Sequence, residues 1–233
     1  MELINLAIVD DHTLFRRTLV NYLSEHKNFC IKVQASDTFE LIHKLKTTPV
    51  DLLLMDIYMP PLEGTDALQM IRYEFPDLKI LLLSMSTDVD LISNMLDLGI
   101  HGFISKDDEP ENLLNAIEAI SNNKIYHTRL FVEALFRNKQ HNIRTDTTKP
   151  LILNEREKKV LKLLWDEKSN KDIADDLFLS VRSVEKIRQD LKDKLGVKST
   201  IGLLKYAIQQ KIIEPGNKSA QRLHNRKADN YKT

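Results

Sequence analysis

One cysteine, Cys30, in 233 residues leaves no partner for an intramolecular disulfide and fits a reducing compartment. A small buried strand residue is its simplest role, ahead of a reactive thiol. Membrane-length apolar runs are also missing. The first apolar stretch, Leu3 to Val9, is short and broken by Asn5, so it is neither a span nor a signal peptide. The expectation is a cytoplasmic protein with no membrane contact. Seven histidines show no metal-ligand spacing, which gives no reason to expect structural zinc. Neither an internal repeat nor a low-complexity block interrupts the chain.

Net charge is absent as well, but only in the total. Residues 1–125 carry 10 Lys+Arg against 20 Asp+Glu, whereas residues 126–150, 151–213 and 214–233 carry +3, +4 and +3. An acidic front and a basic back imply two tasks, with nucleic acid a candidate partner for the second. The same asymmetry implies attraction between the halves, with the acidic half shielding the basic one. At 27.0 kDa the chain has room for two ordinary domains.

The front half is organised around Leu52 to Gly64, LLLMDIYMPPLEG. Leu52 to Met55 is apolar on both faces, as in a parallel-sheet strand covered on two sides, and it stops at Asp56. Met59-Pro60-Pro61 ends the pairing and Gly64 supplies the turn into a helix. Similar runs are Leu3–Val9, Cys30–Ala35, Lys79–Leu83 and Gly102–Ile104. Between and after them, helical stripes run through Leu14/Phe15/Leu19/Leu23, Phe39–Lys46, Thr65–Phe75, Leu91/Ile92/Met95/Leu96 and Leu113/Leu114/Ile117/Ile120. Five strands alternating with five helices predict a doubly wound α/β sheet. Asp10 and Asp11 together, then Asp56, Ser84 and Lys106, follow four different apolar runs, so all five fall at one sheet edge.

Three carboxylates brought together repel one another unless a cation joins them. Mg²⁺ suits a few carboxylates plus phosphate oxygens, Lys106 suits a phosphate oxygen, and Ser84 can donate a hydroxyl. The set fits an aspartyl phosphate on Asp56. Singly, each of these residues reads equally as a helix cap or a solvated loop residue.

Val9-Asp10-Asp11-His12, Asp56-Ile57-Tyr58-Met59-Pro60 with Gly64, Ser84, and Gly102-Phe103-Ile104-Ser105-Lys106 resemble response-regulator receiver domains, and DDHTLFRRTL resembles the NarL/FixJ branch. The resemblance implies a five-stranded flavodoxin-like receiver over residues 1–125. It also implies Asp56 as phospho-acceptor, with Mg²⁺ on Asp10, Asp11, Asp56 and the Tyr58 carbonyl. Ser84 and Phe103 would be a switch pair in which the hydroxyl moves to the phosphate and the ring turns inward. Phe103 stands where tyrosine is common, which removes a hydroxyl-mediated outward contact. His12 belongs to the loop signature.

A short helix (Leu130, Ala134, Leu135) and a polar tether fill residues 126–150. From Leu151 the pattern is all helical. Asn154 caps a helix bearing Val160, Leu161, Leu164 and Trp165, the last a core residue. Ser169 caps Asn170–Leu177, and Ser180 caps a helix from Val181 to Leu195 that Gly196 ends. Thr200–Ile212 follows. On the third helix, Val184, Ile187, Leu191 and Leu195 face inward, while Arg182, Glu185, Lys186, Arg188, Gln189 and Lys192 face out. This is a small helix-turn-helix domain over residues 151–213. LNEREKKVLKLL and SNKDIADDLFLSVRSVEKIRQDLKDKLGVKS are similar to LuxR-type DNA-binding domains. The similarity implies that Glu185, Lys186 and Gln189 point at base edges and that Lys171 and nearby basic residues favour phosphates. Glu185 stands where lysine is frequent, which would repel phosphate or select a cytosine amino group. Ile187 stands where histidine is frequent. Residues 214–233 are expected to be a disordered basic tail.

The expectation is a two-component transcriptional regulator, not an enzyme. A sensor histidine kinase phosphorylates Asp56, and the chain, as a homodimer, binds a two-fold site on double-stranded DNA. One rival is a Mg²⁺-dependent phosphohydrolase, which would want an acid where Tyr58 stands. Another is a DNA-binding regulator that works without phosphorylation.

Overall fold

The structure is a computed structural model that describes residues 3–62, 64–137, 153–197 and 199–213. Strands β1 (Ile4–Val9), β2 (Phe29–Ala35), β3 (Leu52–Asp56), β4 (Lys79–Ser84) and β5 (Gly102–Ser105) form one parallel sheet in the order β2-β1-β3-β4-β5. Helices α1 (Thr13–Ser24), α2 (Thr38–Leu45), α3 (Gly64–Glu74), α4 (Val89–Asp97) and α5 (Pro110–Ser121) alternate with them. The doubly wound fold is therefore present as the apolar runs predict.

Alternation along each strand explains the two layers. On one face, Ala7, Val9, Leu53, Met55, Ile80, Leu82 and Phe103 pack with α2, α3 and α4. On the other, Leu6, Ile8, Leu52, Leu54, Leu81, Leu83 and Ile104 pack with α1 and α5. Each such leucine, fully buried, contributes about 1.5–3 kcal/mol before chain entropy is counted. The strand order reverses between β1 and β3, which is where the crevice beyond the strand ends opens. β3 runs through Asp56 itself, one residue further than its apolar run, because the Asp56 backbone still pairs with Leu83.

Helix α6 (Arg129–Arg137) follows, then α7 (Glu155–Trp165), α8 (Asn170–Leu177), α9 (Val181–Leu195) and α10 (Thr200–Gln209). Asn154 and Ser169 each close a capping box, with Glu157 and Asp172, and Ser180 caps α9 through the Ser183 amide. Gly196 takes a left-handed φ of +67° at the end of α9, where a side chain would be strained. Helix α10 stops at Gln209, short of the predicted Ile212. The tether at 138–150 and the tail at 214–233 lie outside the described residues.

The second domain does not stand apart. Phe131, Ala134 and Leu135 of α6 join the receiver-side core to Leu161, Leu164, Leu203 and Leu204. Lys205 of α10, 8% exposed, ion-pairs with Asp97 of α4 and bonds the Ser93 carbonyl at 3.3 Å. Lys124 reaches Asp172 at 3.4 Å, and the His127 ring lies 4.7 Å from that of Trp165. No described helix is long and apolar enough to cross a membrane.

Candidate functional site

Asp10 follows β1 and Asp56 ends β3, on neighbouring strands, so the sheet register sets their carboxylates side by side. Both are almost fully buried, at 1% and 3% exposure. Lys106, just past β5, bridges them, its Nζ 2.7 Å from Asp10 Oδ2 and 2.8 Å from Asp56 Oδ2. Its own backbone N–H donates to the Ser84 carbonyl at 2.9 Å, which extends the β4–β5 ladder to the rim. Burial pulls the Lys106 ammonium down, but the hydrogen bonds it donates to Asp10 and Asp56, with their charge, outweigh it, and the net shift is upward.

The backbone holds these acids in set rotamers. Ile57 N–H donates to Asp56 Oδ1 at 2.7 Å, and His12 N–H donates to Asp10 Oδ1 at 2.8 Å. Arg16 donates to the Asp10 carbonyl oxygen. Gly64 is required by close approach: a Cβ there would lie 2.4 Å from the Ile57 carbonyl oxygen, in the loop that carries Tyr58.

Asp11 completes the trio. One of its carboxylate oxygens, Oδ1, is buried without a hydrogen-bond partner. His12 Nδ1 sits 3.0 Å from it, 3.6 Å from Asp10 and 4.0 Å from Asp56. Potential ligand atoms of Asp10, Asp11, His12 and Asp56 all lie within 4.8 Å of one another. An orphaned carboxylate oxygen beside two buried ones is what a hard divalent cation would satisfy, so these residues fit Mg²⁺. His12 therefore stands closer to the site than a loop-signature reading implies. Spacing could not reveal that, because the histidine adjoins the acids in sequence.

Ser84 is fully buried and its Oγ accepts from the Ser86 N–H at 3.0 Å. Phe103 is also fully buried, so its ring is already inward in this structure. Tyr58 is exposed. Sequence reasoning missed Phe15, whose ring lies under the Lys106 ammonium, 4.4 Å from Nζ to ring centroid. It had counted only as part of an apolar stripe.

On the second domain, Lys171 of α8 and Arg182, Glu185, Lys186 and Gln189 of α9 are all exposed. Two of the outward side chains expected on α9 are placed differently. Arg188 is half-buried and donates to Asn170 Oδ1 and to Thr200 Oγ1, the latter at 2.7 Å. Lys192 is half-buried too, and burial first, then Arg188, lowers its pKa against the pull of Asp77 and Asp193. The two departures have separate causes: Arg188 is drawn in by Asn170 and Thr200 of its own domain, whereas Lys192 lies within reach of the receiver's Asp77. Among the described residues, acidic charge from the receiver therefore reaches the recognition helix only at Lys192, through Asp77. The base-facing side chains stay open, and the receiver charges near this flank are of both signs, Lys79 toward Arg188 and Asp77 toward Lys192. The helix that the receiver covers is α10.

Comparison with known proteins gives the class. The family described as "Response regulator receiver domain" matches residues 6–118, and "Bacterial regulatory proteins, luxR family" matches residues 151–207. The oxygen regulatory protein NreC of Staphylococcus aureus (strain JH9) is 34% identical over 214 residues, covering 90% of this chain and 99% of that protein. A structure of the two-component response regulator RcsB in complex with DNA aligns at TM-score 0.56 and 25% identity, covering 89% of this chain and 99% of that one. RcsB from Salmonella enterica serovar Typhimurium, bound to promoter rprA in the presence of phosphomimetic BeF3-, aligns at TM-score 0.53 and 25% identity, over 88% and 98% of the two chains. Fold and rim together define a response regulator with a receiver and a LuxR-type DNA-binding domain. Within that class the chain belongs to the NarL/FixJ-type response regulators, a family of transcription regulators.

Proposed function

We propose that this chain is switched by phosphorylation of Asp56 by a sensor histidine kinase, and that the phosphorylated form dimerises and binds a two-fold DNA site through α9. The observation that carries the reading is Lys106 held between Asp10 and Asp56, beside the orphaned Asp11 oxygen. An Asp56 carboxylate oxygen attacks phosphorus, the phosphorus–nitrogen bond of the kinase phosphohistidine breaks, and the departing imidazole keeps the electron pair and takes a proton. Mg²⁺ held by Asp10, Asp11, Asp56 and the Tyr58 carbonyl would supply charge neutralisation for the transferring group. Lys106 moves from bridging two carboxylates to pairing with a phosphoryl oxygen, and Ser84 exchanges its Ser86 amide contact for the phosphate. On the DNA, Lys186, Gln189 and Glu185 meet base edges while Lys171 and Arg182 meet phosphates. Lys192, half-buried here near Asp77, gains access to DNA only if the domain seam opens, while Arg188 is held by Asn170 and Thr200 within the DNA-binding domain itself.

Genome-wide mapping of bound DNA, with the cells' protein left untreated or exposed to a small phosphodonor, tests this. A set of two-fold sites occupied after phosphodonor treatment is expected, lost in Asp56→Asn and in Lys186→Ala/Gln189→Ala. Equal occupancy in wild type and Asp56→Asn would leave a regulator that works without phosphorylation.

A further inference from the structure

Arg188 has an unusual environment for a residue on a DNA-reading helix. Its guanidinium donates to the side-chain oxygen of Asn170, at the start of α8, and to that of Thr200, at the start of α10. Asn170 and Thr200 are buried, at 7% and 8% exposure. Both acceptors are neutral, so these contacts orient the arginine without cancelling its charge. The carboxylate whose field reaches it is Glu185, three residues earlier on the same helix. Between the two lies the Asn170 amide. Its oxygen accepts from Arg188, so its nitrogen must turn outward, where Nδ2 faces Glu185 Oε1 at 3.5 Å. The arginine thus fixes which way the amide points, and the amide offers a donor to one oxygen of an exposed acid.

We infer that Arg188 and Asn170 are positioning residues that hold the Glu185 carboxylate in one orientation for reading a base edge. This rests on α9 being the DNA reader and deepens that reading. A carboxylate accepts hydrogen bonds and cannot donate, so of the major-groove groups it favours the cytosine amino group and opposes edges presenting only acceptors. A free glutamate on a helix near phosphates would swing away from them. One tethered at Oε1 keeps Oε2 for the base, and part of the ordering cost is met before DNA arrives. Thr200 anchors the other arm of the fork, so the orientation is set by α8, α9 and α10 together.

The test is selection of bound sequences from randomised duplexes with the full-length, phosphodonor-treated protein. Wild type is expected to prefer cytosine at one position of each half-site by about tenfold. Glu185→Ala removes that preference. Asn170→Asp keeps an acceptor for Arg188 but replaces the donor facing Glu185 with a carboxylate. It is expected to cut the preference to about threefold or less at that position, leaving the others and the thermal midpoint unchanged. Arg188→Met should do the same at that position. Loosening of the domain seam alone would change affinity across all positions equally and so is told apart. A wild-type motif that Asn170→Asp and Arg188→Met leave intact at every position overturns the positioning roles. A motif untouched by Glu185→Ala overturns the reading role of Glu185. Failure of the wild type to select any motif removes α9 as the reader, and this inference with it.

Discussion

Lys106 is the residue on which the rim depends, because it is the cation held between two nearly buried carboxylates. Its replacement by methionine leaves Asp10 and Asp56 facing each other without that charge. Removing one partner of a buried ion set costs on the order of 3 kcal/mol, so Lys106→Met should unfold at markedly lower urea concentration in the absence of divalent ions. Mg²⁺ should then raise its midpoint more than it raises that of the wild type, since the cation replaces a missing charge. Equal Mg²⁺ effects on the two proteins would show that the ion binds elsewhere. The carboxylates and Lys106 were legible from sequence because each ends an apolar run, and a strand end is a fixed place in a doubly wound sheet. Phe15, Arg16 and the proximity of His12 were not legible. Their roles depend on how α1 leans over the rim, which no periodicity encodes.

At the level of elements, the β3–α3 connection is set by contact distance. Gly64→Ala drives a Cβ against the Ile57 carbonyl oxygen. Backbone must shift to relieve it, at roughly 1–3 kcal/mol, and chemical denaturation should show that loss. A neutral result would mean that the start of α3 relaxes freely. Every receiver strand and helix was legible from apolar spacing, and so were the caps Asn154, Ser169 and Ser180. Boundaries moved by a residue or two where ladder pairing, as at Asp56, outlasted the apolar run. Arg72 escaped notice because its function is backbone satisfaction: it donates to the carbonyls of Pro76 and Leu78 just beyond its own helix and of Gly99, which is 27 residues away. The same limit hid Arg188, whose outward position on a helical wheel gave no hint of Asn170 and Thr200.

Across the whole molecule, the sequence suggested attraction between an acidic and a basic half, and the seam is more mixed than that. Lys205–Asp97 and Lys124–Asp172 pair in opposite directions across it. Asp97→Ala would leave the buried Lys205 ammonium with only the Ser93 carbonyl. Docking should weaken by roughly 2 kcal/mol, read as a larger radius of gyration in solution scattering; an unchanged radius would show that apolar contacts alone hold the seam. Near His101 the neighbours are cationic. Burial first, then Arg72, Lys79, Lys192 and Arg188, push its pKa down from the usual 6.5 to about 3. Its folded form is neutral, so the associated stability is complete above about pH 6.5 and is lost as pH falls through that value toward 3. The urea midpoint should therefore drop between pH 7 and pH 5, and drop less in His101→Asn; identical pH profiles would assign the drop to other groups.

If the rim works as proposed, Asp10, Asp11, Asp56, Ser84 and Lys106 together support a phosphoryl group on Asp56. Intact-protein and peptide mass spectrometry, after treatment with a small phosphodonor and Mg²⁺, tests it most directly. One acid-labile, hydroxylamine-sensitive phosphoryl group should map to Asp56, require Mg²⁺ and be missing from Asp56→Asn. An adduct that survives acid, or equal labelling of wild type and Asp56→Asn, would contradict the account.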